Sequence, residues 1–244
     1  MNLHLISFAA HHDNRYENRR KTYKEVAEGL GVFDSVNVFS NFNCYDYCPE
    51  LLEHKHYMDV PHRRGYGYWV WKFFLVREFL NNIPENDLML YTDIGCTFNY
   101  KGKPRMFEYI DMAQQNNSLT FEVGYPEFLY TKMDTYLRIF PDTFQHGSTG
   151  QRCSGIFFLK NNQQNKNILD ELKVLHVENN YINVTDEPSI VPNSPSFVEH
   201  RHDQSIFSLI TKKYNMFAIP DETYWENWDT EGINYPIWAK RIVY

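Results

Sequence analysis

The sequence is short of several things, and each shortage excludes something. No apolar run among its 244 residues approaches the roughly 20 needed to span a bilayer, so no membrane span is expected. Basic residues do not dominate: 24 Lys and Arg stand against 31 Asp and Glu, a net charge of −7. A general nucleic-acid binder carries a marked basic excess, so no nucleic-acid partner is expected, although a few local arginines can still hold an anionic small molecule. Four cysteines are too few to make a disulfide framework in a chain of this length. Cys44 and Cys48 form CYDYC, and His54, His56 and His62 follow, but that spacing matches no common structural zinc pattern. Reduced, partly buried thiols are expected. There is no Pro/Gly/Ser-rich linker, internal repeat or low-complexity block, so one domain over residues 1–244 is expected. A Walker-type loop and a dinucleotide fingerprint are also missing, because Gly65-Tyr66-Gly67 lacks a third glycine and a preceding strand. The N-terminus has no basic start before its apolar stretch, which reads as a first strand rather than a signal peptide. A cytoplasmic protein is therefore expected, and the wealth of Asn, Lys, Tyr and Phe suits an AT-rich bacterial or viral genome. The sequons Asn116-Asn117-Ser118 and Asn183-Val184-Thr185 carry no meaning in that compartment.

Aromatics are abundant: 18 Tyr, 18 Phe and 5 Trp. Rings with polar edges suit sugar and base faces, and they equally build a large aromatic core. The opening stretch sets the fold class. NLHLISF predicts a strand, Arg19 to Glu28 a helix ending before Gly29 and Gly31, and SVNVFS a second strand. Such a unit starts an open α/β sheet. Residues 41–63 read as an irregular loop. From Trp69 to Ile83 a helix is predicted, with Phe73, Val76, Phe79, Leu80 and Ile83 on its buried side. Pro84 to Asp87 break it, and LMLYT is the most apolar strand. A helix near Arg105 to Asn116, a strand at LTFEV, a helix around Met133 to Phe140, a strand at GIFFLK and a helix from Asn165 to Tyr181 follow. Residues 183–200 are a proline-bearing loop, a last helix runs from Gln204 to Tyr214, and the aromatic tail fits no pattern.

Chemistry gathers at four places. Open α/β sheets bind ligands beyond the carboxyl ends of their strands, which is where LMLYTDIGC sets Asp93. A carboxylate there can coordinate Mg²⁺ or Mn²⁺, and Gly95 removes a Cβ where backbone and ligand would collide. Equally, Asp93 starts a turn and Gly95 supplies a positive φ; local pattern does not separate the two. In RRGYGYWVWK, Arg63, Arg64 and Lys72 flank flexible glycines at a helix start, a serviceable phosphate site. Lys72 in the first helical turn opposes the macrodipole and is costly without an anionic partner. Trp69 and Trp71 read as core anchors. In EHRHDQSIFS, Asp203 is either a plain N-cap or, with Gln204, a group that hydrogen-bonds sugar hydroxyls or takes a proton. In QRCSGIFFLKN, Gly155 permits close backbone approach and Arg152 is a candidate to face an anion.

Taken in order, RRGYGYWVWK, LMLYTDIGC, CSGIFFLKN and HRHDQSIFSLI resemble the GT-A fold glycosyltransferase-like proteins of bacteria and large DNA viruses. The similarity covers roughly residues 60–215, and the ending ETYW and YPIWAKRI fits the same pattern. More distantly, TDIGC occupies the place of the Asp-x-Asp metal motif. SGIFFLKN and HDQSIFS resemble the Ser-Gly strand and Asp-Gln helix of glycosyltransferase family eight, which line the donor sugar. The resemblance implies a single GT-A, Rossmann-like α/β domain with a mixed central sheet flanked by helices. It implies transfer of a sugar from a nucleotide-diphosphate donor, usually UDP-linked, to a glycan or other acceptor, with Mn²⁺ or Mg²⁺ neutralising the leaving diphosphate. By carry-over, Asp93 holds the metal, and Arg63, Arg64 and Lys72 contact diphosphate or sugar. Gly95 and Gly155 make room for the donor, Asp203 and Gln204 address sugar or acceptor, and Ser7 to Ala10, Ala9 included, border the nucleotide. Gly95 stands where the second acid of the metal motif belongs, so one protein carboxylate would share the metal with diphosphate and water. Two other readings use the same residues: a non-catalytic carbohydrate-binding protein on a degenerate transferase scaffold, and a metal-dependent phosphohydrolase.

Overall fold

The computed structural model describes residues 1–10, 15–61 and 63–242. Its strands, in chain order, are β1 (Leu3–Ala9), β2 (Ser35–Ser40), β3 (Leu88–Thr92), β4 (Thr97–Phe98), β5 (Ser118–Pro126), β6 (Gly150–Lys160), β7 (Ala218–Pro220) and β8 (Ile237–Trp238). Six of them form one mixed sheet in the order β2-β1-β3-β6-β5-β7, and β4 pairs with β8 beside it. β1 runs parallel to β2 and β3, whereas β6 is antiparallel to both β3 and β5. The helices are α1 (Arg15–Leu30), α2 (Cys44–Tyr47), α3 (Lys55–Met58), α4 (Gly65–Tyr68), α5 (Trp71–Asn82), α6 (Lys103–Asn116), α7 (Glu127–Tyr130), α8 (Met133–Ile139), α9 (Gln163–Tyr181) and α10 (His202–Lys213). The result is the α/β layout expected from the sequence, a mixed sheet flanked by helices. No helix among the described residues is long and apolar enough to cross a membrane.

Strand alternation divides the core between the two faces, because successive side chains point to opposite sides. Leu3 and Leu5 of β1, Leu88 and Leu90 of β3, and Ile156 and Phe158 of β6 pack with Tyr23 and Ala27 of α1 and Met106 and Tyr109 of α6. The opposite set, Ile6, Phe8, Met89, Tyr91, Phe157 and Leu159, packs with α5, α9 and α10. On that second face the aromatics interlock. Phe73 lies parallel to Phe207, with ring centroids 5.7 Å apart, and Phe157 meets Phe207 at 4.8 Å and Tyr91 at 5.1 Å. The wealth of aromatics is therefore largely a core property here.

Apart from element ends, such as α1 running through Gly29 to Leu30, and the unexpected single turn α7, two stretches differ from expectation. Residues 41–63 hold the single turns α2 and α3 and a 3-10 turn over Pro49–His54, because Cys44, Cys48, Leu51 and Met58 reach the core at near-helical spacing. The tail supplies β7, which extends the sheet beside β5, and β8. Strands of two or three residues carry too little alternation to be read. The thiols of Cys44 and Cys48 are buried, and burial pushes them up to about 12 and about 11, so both stay protonated. His54 is engaged with the Tyr181 hydroxyl at 3.0 Å, and His62 lies outside the described residues.

His176 is fully buried against Phe73, its Nδ1 2.7 Å from the Leu172 carbonyl. Burial pushes this imidazole down to about 4 from 6.5. Below pH 6.5 the unfolded chain therefore takes up a proton that the folded chain refuses until about pH 4, so acidification through that window removes stability. The share due to His176 is about 1.4 kcal/mol per pH unit. Urea unfolding across the window should show a shallower loss for His176→Gln than for the parent. Identical slopes would mean that the buried ring protonates without cost.

Candidate functional site

The site forms where β3, α5, β6 and α10 meet. Asp93 follows β3 directly and shares the pleat side of Met89 and Tyr91, so it turns toward α5 and α10. Its backbone N–H donates to the Gly155 carbonyl at 2.8 Å, and the Tyr91 hydroxyl donates to its Oδ1 at 2.8 Å. A Cβ on Gly155 would stand 2.8 Å from Asp93 Oδ2, so the bare backbone there is what admits the carboxylate. The loop after Asp93 is held from below. Arg19, buried on α1, donates from Nε to the Ile94 carbonyl at 2.8 Å and from a second nitrogen to the Cys96 carbonyl.

Lys72 stands in the first turn of α5 with 1% of its surface exposed. Its ammonium lies 2.6 Å from Asp203 Oδ2, 3.3 Å from the Ser154 carbonyl and 3.4 Å from Asp93 Oδ1. Burial opposes the charge on Lys72, but the fields of Asp203 and Asp93 outweigh it and hold the ammonium above the ordinary lysine value. These carboxylates are the anionic partners that a cation in a first helical turn requires. Asp203 is 7% exposed and also accepts from Ser154 Oγ at 2.7 Å. It is no N-cap: α10 starts one residue earlier, at His202, and no side chain caps it. A first-turn carboxylate gains from the helix dipole without a cap bond, which leaves its oxygens for Lys72 and Ser154.

Asp93 is the open member of the group, with 46% of its side chain exposed. Burial, here a dense floor beneath an open mouth, raises its pKa; Lys72 pulls the other way and Asp203 adds to the rise. Among the described residues, two carboxylates face one ammonium.

The approach to Lys72 is strained. Five consecutive residues have positive φ: Gly65 at 60°, Tyr66 at 53°, Gly67 at 80°, Tyr68 at 52° and Trp69 at 59°. L-residues there cost about 1–2 kcal/mol each. Gly65 and Gly67 lighten the load, and a Cβ on Gly67 would lie 2.7 Å from the Met58 Cα. The turn is tied by Tyr68 N–H to the Arg64 carbonyl at 2.7 Å and by the Trp71 indole N–H to the Gly65 carbonyl at 3.0 Å. Phe8 stacks on Trp71 at 3.9 Å, which fixes the start of α5.

Of the residues singled out from sequence, Lys72, Asp93, Gly155 and Asp203 come together. The others lie as follows. Ser7 is buried and donates to the Thr92 carbonyl at 2.7 Å, and Ala9 is buried in the core on the α1 side. Arg63 lies over the Tyr57 ring, 4.0 Å from its centroid, and Arg64 is exposed, 5.9 Å from the Trp69 ring. Gln204 donates to Gln151 Oε1 at 2.9 Å. Arg152 donates to the Met216 carbonyl at 2.9 Å. Asp93 does start a turn, with Cys96 N–H donating to its carbonyl at 2.9 Å, but Gly95, within that turn, does not take a positive φ. What comes close to it is the chain's own tail: a Cβ would meet the Arg241 Cα at 3.0 Å, and Ile242 N–H donates to its carbonyl at 2.9 Å. Tyr91, Ser154 and Arg19 were not singled out as functional. Tyr91 precedes Asp93 by two on one pleat side and was legible by period; Ser154 was visible only in the Ser-Gly pair, and Arg19 had no signal.

Neither a family model nor a curated protein sequence matches the chain. Solved structures do. A glycosyltransferase involved in the glycosylation of the major capsid of PBCV-1 is similar with a TM-score of 0.53 at 12% identity, covering 97% of this chain and 91% of that one. The fold is GT-A-like. Mouse xyloside xylosyltransferase 1 gives 0.48 at 14% identity over 92% and 87% of the two chains, and the galactosyltransferase LgtC gives 0.49 at 11% over 91% and 75%. Identities this low speak to the fold alone, and the PBCV-1 comparison carries it. Within this GT-A-like fold, no three His, Cys, Asp or Glu side chains gather as a metal cage among the described residues. Asp93 offers a hard, half-open oxygen donor, which suits a divalent cation completed by ligands from outside the protein rather than one enclosed by it.

Removing one member of a buried ion pair strands the other, at about 3–5 kcal/mol, whereas replacing both by apolar residues is often neutral. Lys72→Met should therefore lower unfolding free energy by about that much, and Lys72→Met combined with Asp203→Leu should recover most of it. A double variant as unstable as the single one would show that the lysine matters to the fold in some other way.

Proposed function

We propose that the protein is a nucleotide-sugar-dependent glycosyltransferase, taking a sugar from a UDP-linked donor to a hydroxyl of a glycan or other acceptor. The observation that carries this reading is the half-open Asp93 carboxylate at the end of β3, 3.4 Å from a buried ammonium. In sugar transfer the difficulty is the charge that builds on the departing diphosphate. Lys72 is a fixed cation beside that position, preorganised by Asp203 and Ser154 so that little rearrangement accompanies the reaction. Asp203, tied to the ammonium and nearly closed to solvent, positions Lys72 and is not a free base. Gln204, anchored by Gln151, is next along α10 and is the proposed contact for the sugar or acceptor.

Asp93 would hold Mn²⁺ or Mg²⁺ together with the donor's phosphates. When bound, such an ion supplies Lewis-acid stabilisation of the leaving diphosphate. A cation bound there would favour the ionised form of Asp93, whose pKa burial and Asp203 otherwise raise. The phosphohydrolase reading lacks the cluster of acids or histidines that such chemistry gathers, among the described residues. The carbohydrate-binding reading keeps one observation in its favour, the single open carboxylate where the metal motif has two acids.

A ligand that binds only the folded form stabilises it by RT ln(1 + [L]/Kd), about 2.7 kcal/mol at a hundredfold excess over Kd. UDP with Mn²⁺ should therefore raise the melting temperature by several degrees, Mn²⁺ alone should not, and Asp93→Asn should abolish the shift while melting unliganded like the parent. A full shift in Asp93→Asn would remove Asp93 from the donor site.

A further inference from the structure

Two ties join the start of α10 to β6. One, from Ser154 to Asp203 at 2.7 Å, belongs to the charged centre. The other starts one residue along, where Gln204 donates from Nε2 to Gln151 Oε1 at 2.9 Å. This second tie is the outer end of a hydrogen-bond chain that runs inward through buried groups. Gln151 is buried, and its Nε2 reaches the Thr131 hydroxyl at 3.0 Å and the Ser205 hydroxyl at 3.5 Å. Thr131 Oγ1 donates to Glu127 Oε2 at 2.9 Å. Glu127 is fully buried and pairs through Oε1 with Lys212 at 2.6 Å, and Ser208 Oγ donates to the same oxygen.

Which way each amide points follows from which neighbours still have a proton to give. Burial disfavours both charges of the innermost pair, raising Glu127 and lowering Lys212. The contacts are nevertheless those of an ammonium, whose three protons go to Glu127, to Thr149 Oγ1 at 2.8 Å and to the Gly150 carbonyl at 2.7 Å. An ionised Glu127 only accepts, so the Thr131 hydroxyl proton is committed to it. The Ser205 hydroxyl proton is committed to the Tyr130 carbonyl at 2.6 Å. Both hydroxyls therefore turn lone pairs toward Gln151, and only its NH2 end can face them. Its carbonyl oxygen is left for Gln204, which answers with its own NH2 end.

The opposite setting would put an amide oxygen against two hydroxyl oxygens with no proton between them, which is costly where water cannot help. The outward consequence is a carbonyl oxygen. Gln204 is half-buried, and its Oε1 takes no hydrogen bond among the described residues and is not sealed from solvent, so a ligand can reach it. We propose that Glu127, acting through Thr131 and Gln151, is a positioning residue that holds Gln204 with its carbonyl oxygen outward, as an acceptor for a hydroxyl of the transferred sugar. The sugar rests on the glycosyltransferase reading; the direction of the amide does not.

NMR of the ¹⁵N-labelled protein reads the direction without a ligand. The Gln204 side-chain amide, identified by its absence in Gln204→Met, should exchange with water more slowly than a free glutamine amide. Thr131→Val should remove that protection and Thr131→Ser restore it, with the backbone amides of α10 unchanged in both. Glu127→Gln combined with Lys212→Met strands no buried charge. It should also remove the protection, because an amide at that position donates to Thr131 and turns the chain round. A Gln204 amide that exchanges freely in the parent, or that stays protected in Thr131→Val and the double variant, would overturn the proposal. Calorimetry with UDP, UDP-glucose, UDP-galactose and UDP-xylose, each with Mn²⁺, reads the contact. Gln204→Met should weaken at least one sugar nucleotide by about tenfold and leave UDP as it was. Thr131→Val should weaken the same one, and Thr131→Ser should not. Sugar nucleotides that bind Gln204→Met as they bind the parent remove the sugar contact and leave the donor reading standing. A protected amide with no binding of UDP or of any sugar nucleotide overturns the donor reading and the sugar contact together, and leaves the direction of the amide established.

Discussion

A lysine ammonium almost cut off from water, 2.6 Å from Asp203 and 3.4 Å from Asp93, ties the first turns of α5 and α10 to the end of β3. Taken singly, each of these groups is unfavourable where it stands. A cation opposes the dipole at a helix start, and a carboxylate buried without a partner is worse still. Together they satisfy one another, and the Ser154 hydroxyl and carbonyl complete the set. The arrangement around them depends on that mutual satisfaction, because it decides which carboxylate is closed and which is left open. Asp203 is spent inward. Asp93 keeps about half of its side chain in solvent, 3.4 Å from an ammonium that Asp203 holds more closely.

The strain in the neighbourhood points the same way. Backbone at positive φ in tyrosine, tryptophan and histidine persists where the surroundings over-determine it, and such outliers gather at functional sites. Here the aromatic floor supplies the surroundings. Phe8 against Trp71, Phe73 against Phe207 and Phe157 beneath Tyr91 lock α5 and α10 to the sheet, so the turn over residues 65–69 is held at both ends. Rings that by composition equally suit sugar faces are in large part the rigid bed on which the charged group rests.

Strand-level organisation was legible because alternation is a local property. LMLYT and SVNVFS could be bounded from their own residues, and the parity of Met89, Tyr91 and Asp93 already says that the carboxylate turns toward the α5 face. The demand of Lys72 for an anionic partner was also local, since a helix N-terminus sets it. The identity of that partner was not, because Asp203 lies 131 residues away and only the packing of α10 on the sheet brings it near. The same distance problem hid Arg19, which clamps the Asp93 loop from the far side of the sheet, and made Gly95 and Gly155 look like ligand contacts. Their missing Cβ atoms admit the chain's own tail and the chain's own carboxylate. Ser7 and Ala9 were placed by analogy at the end of β1, but alternation turns both toward the α1 core.

The central claim is that the open oxygen of Asp93 meets the diphosphate of a nucleotide sugar beside the Lys72 ammonium. Crystals grown with UDP and Mn²⁺ test it most directly, since manganese is located by its anomalous signal without reference to the protein density. The account predicts a manganese peak bridging Asp93 and the diphosphate, with Lys72 still paired to Asp203. Well-ordered UDP lying elsewhere on the molecule, with Asp93 facing only solvent, would contradict it.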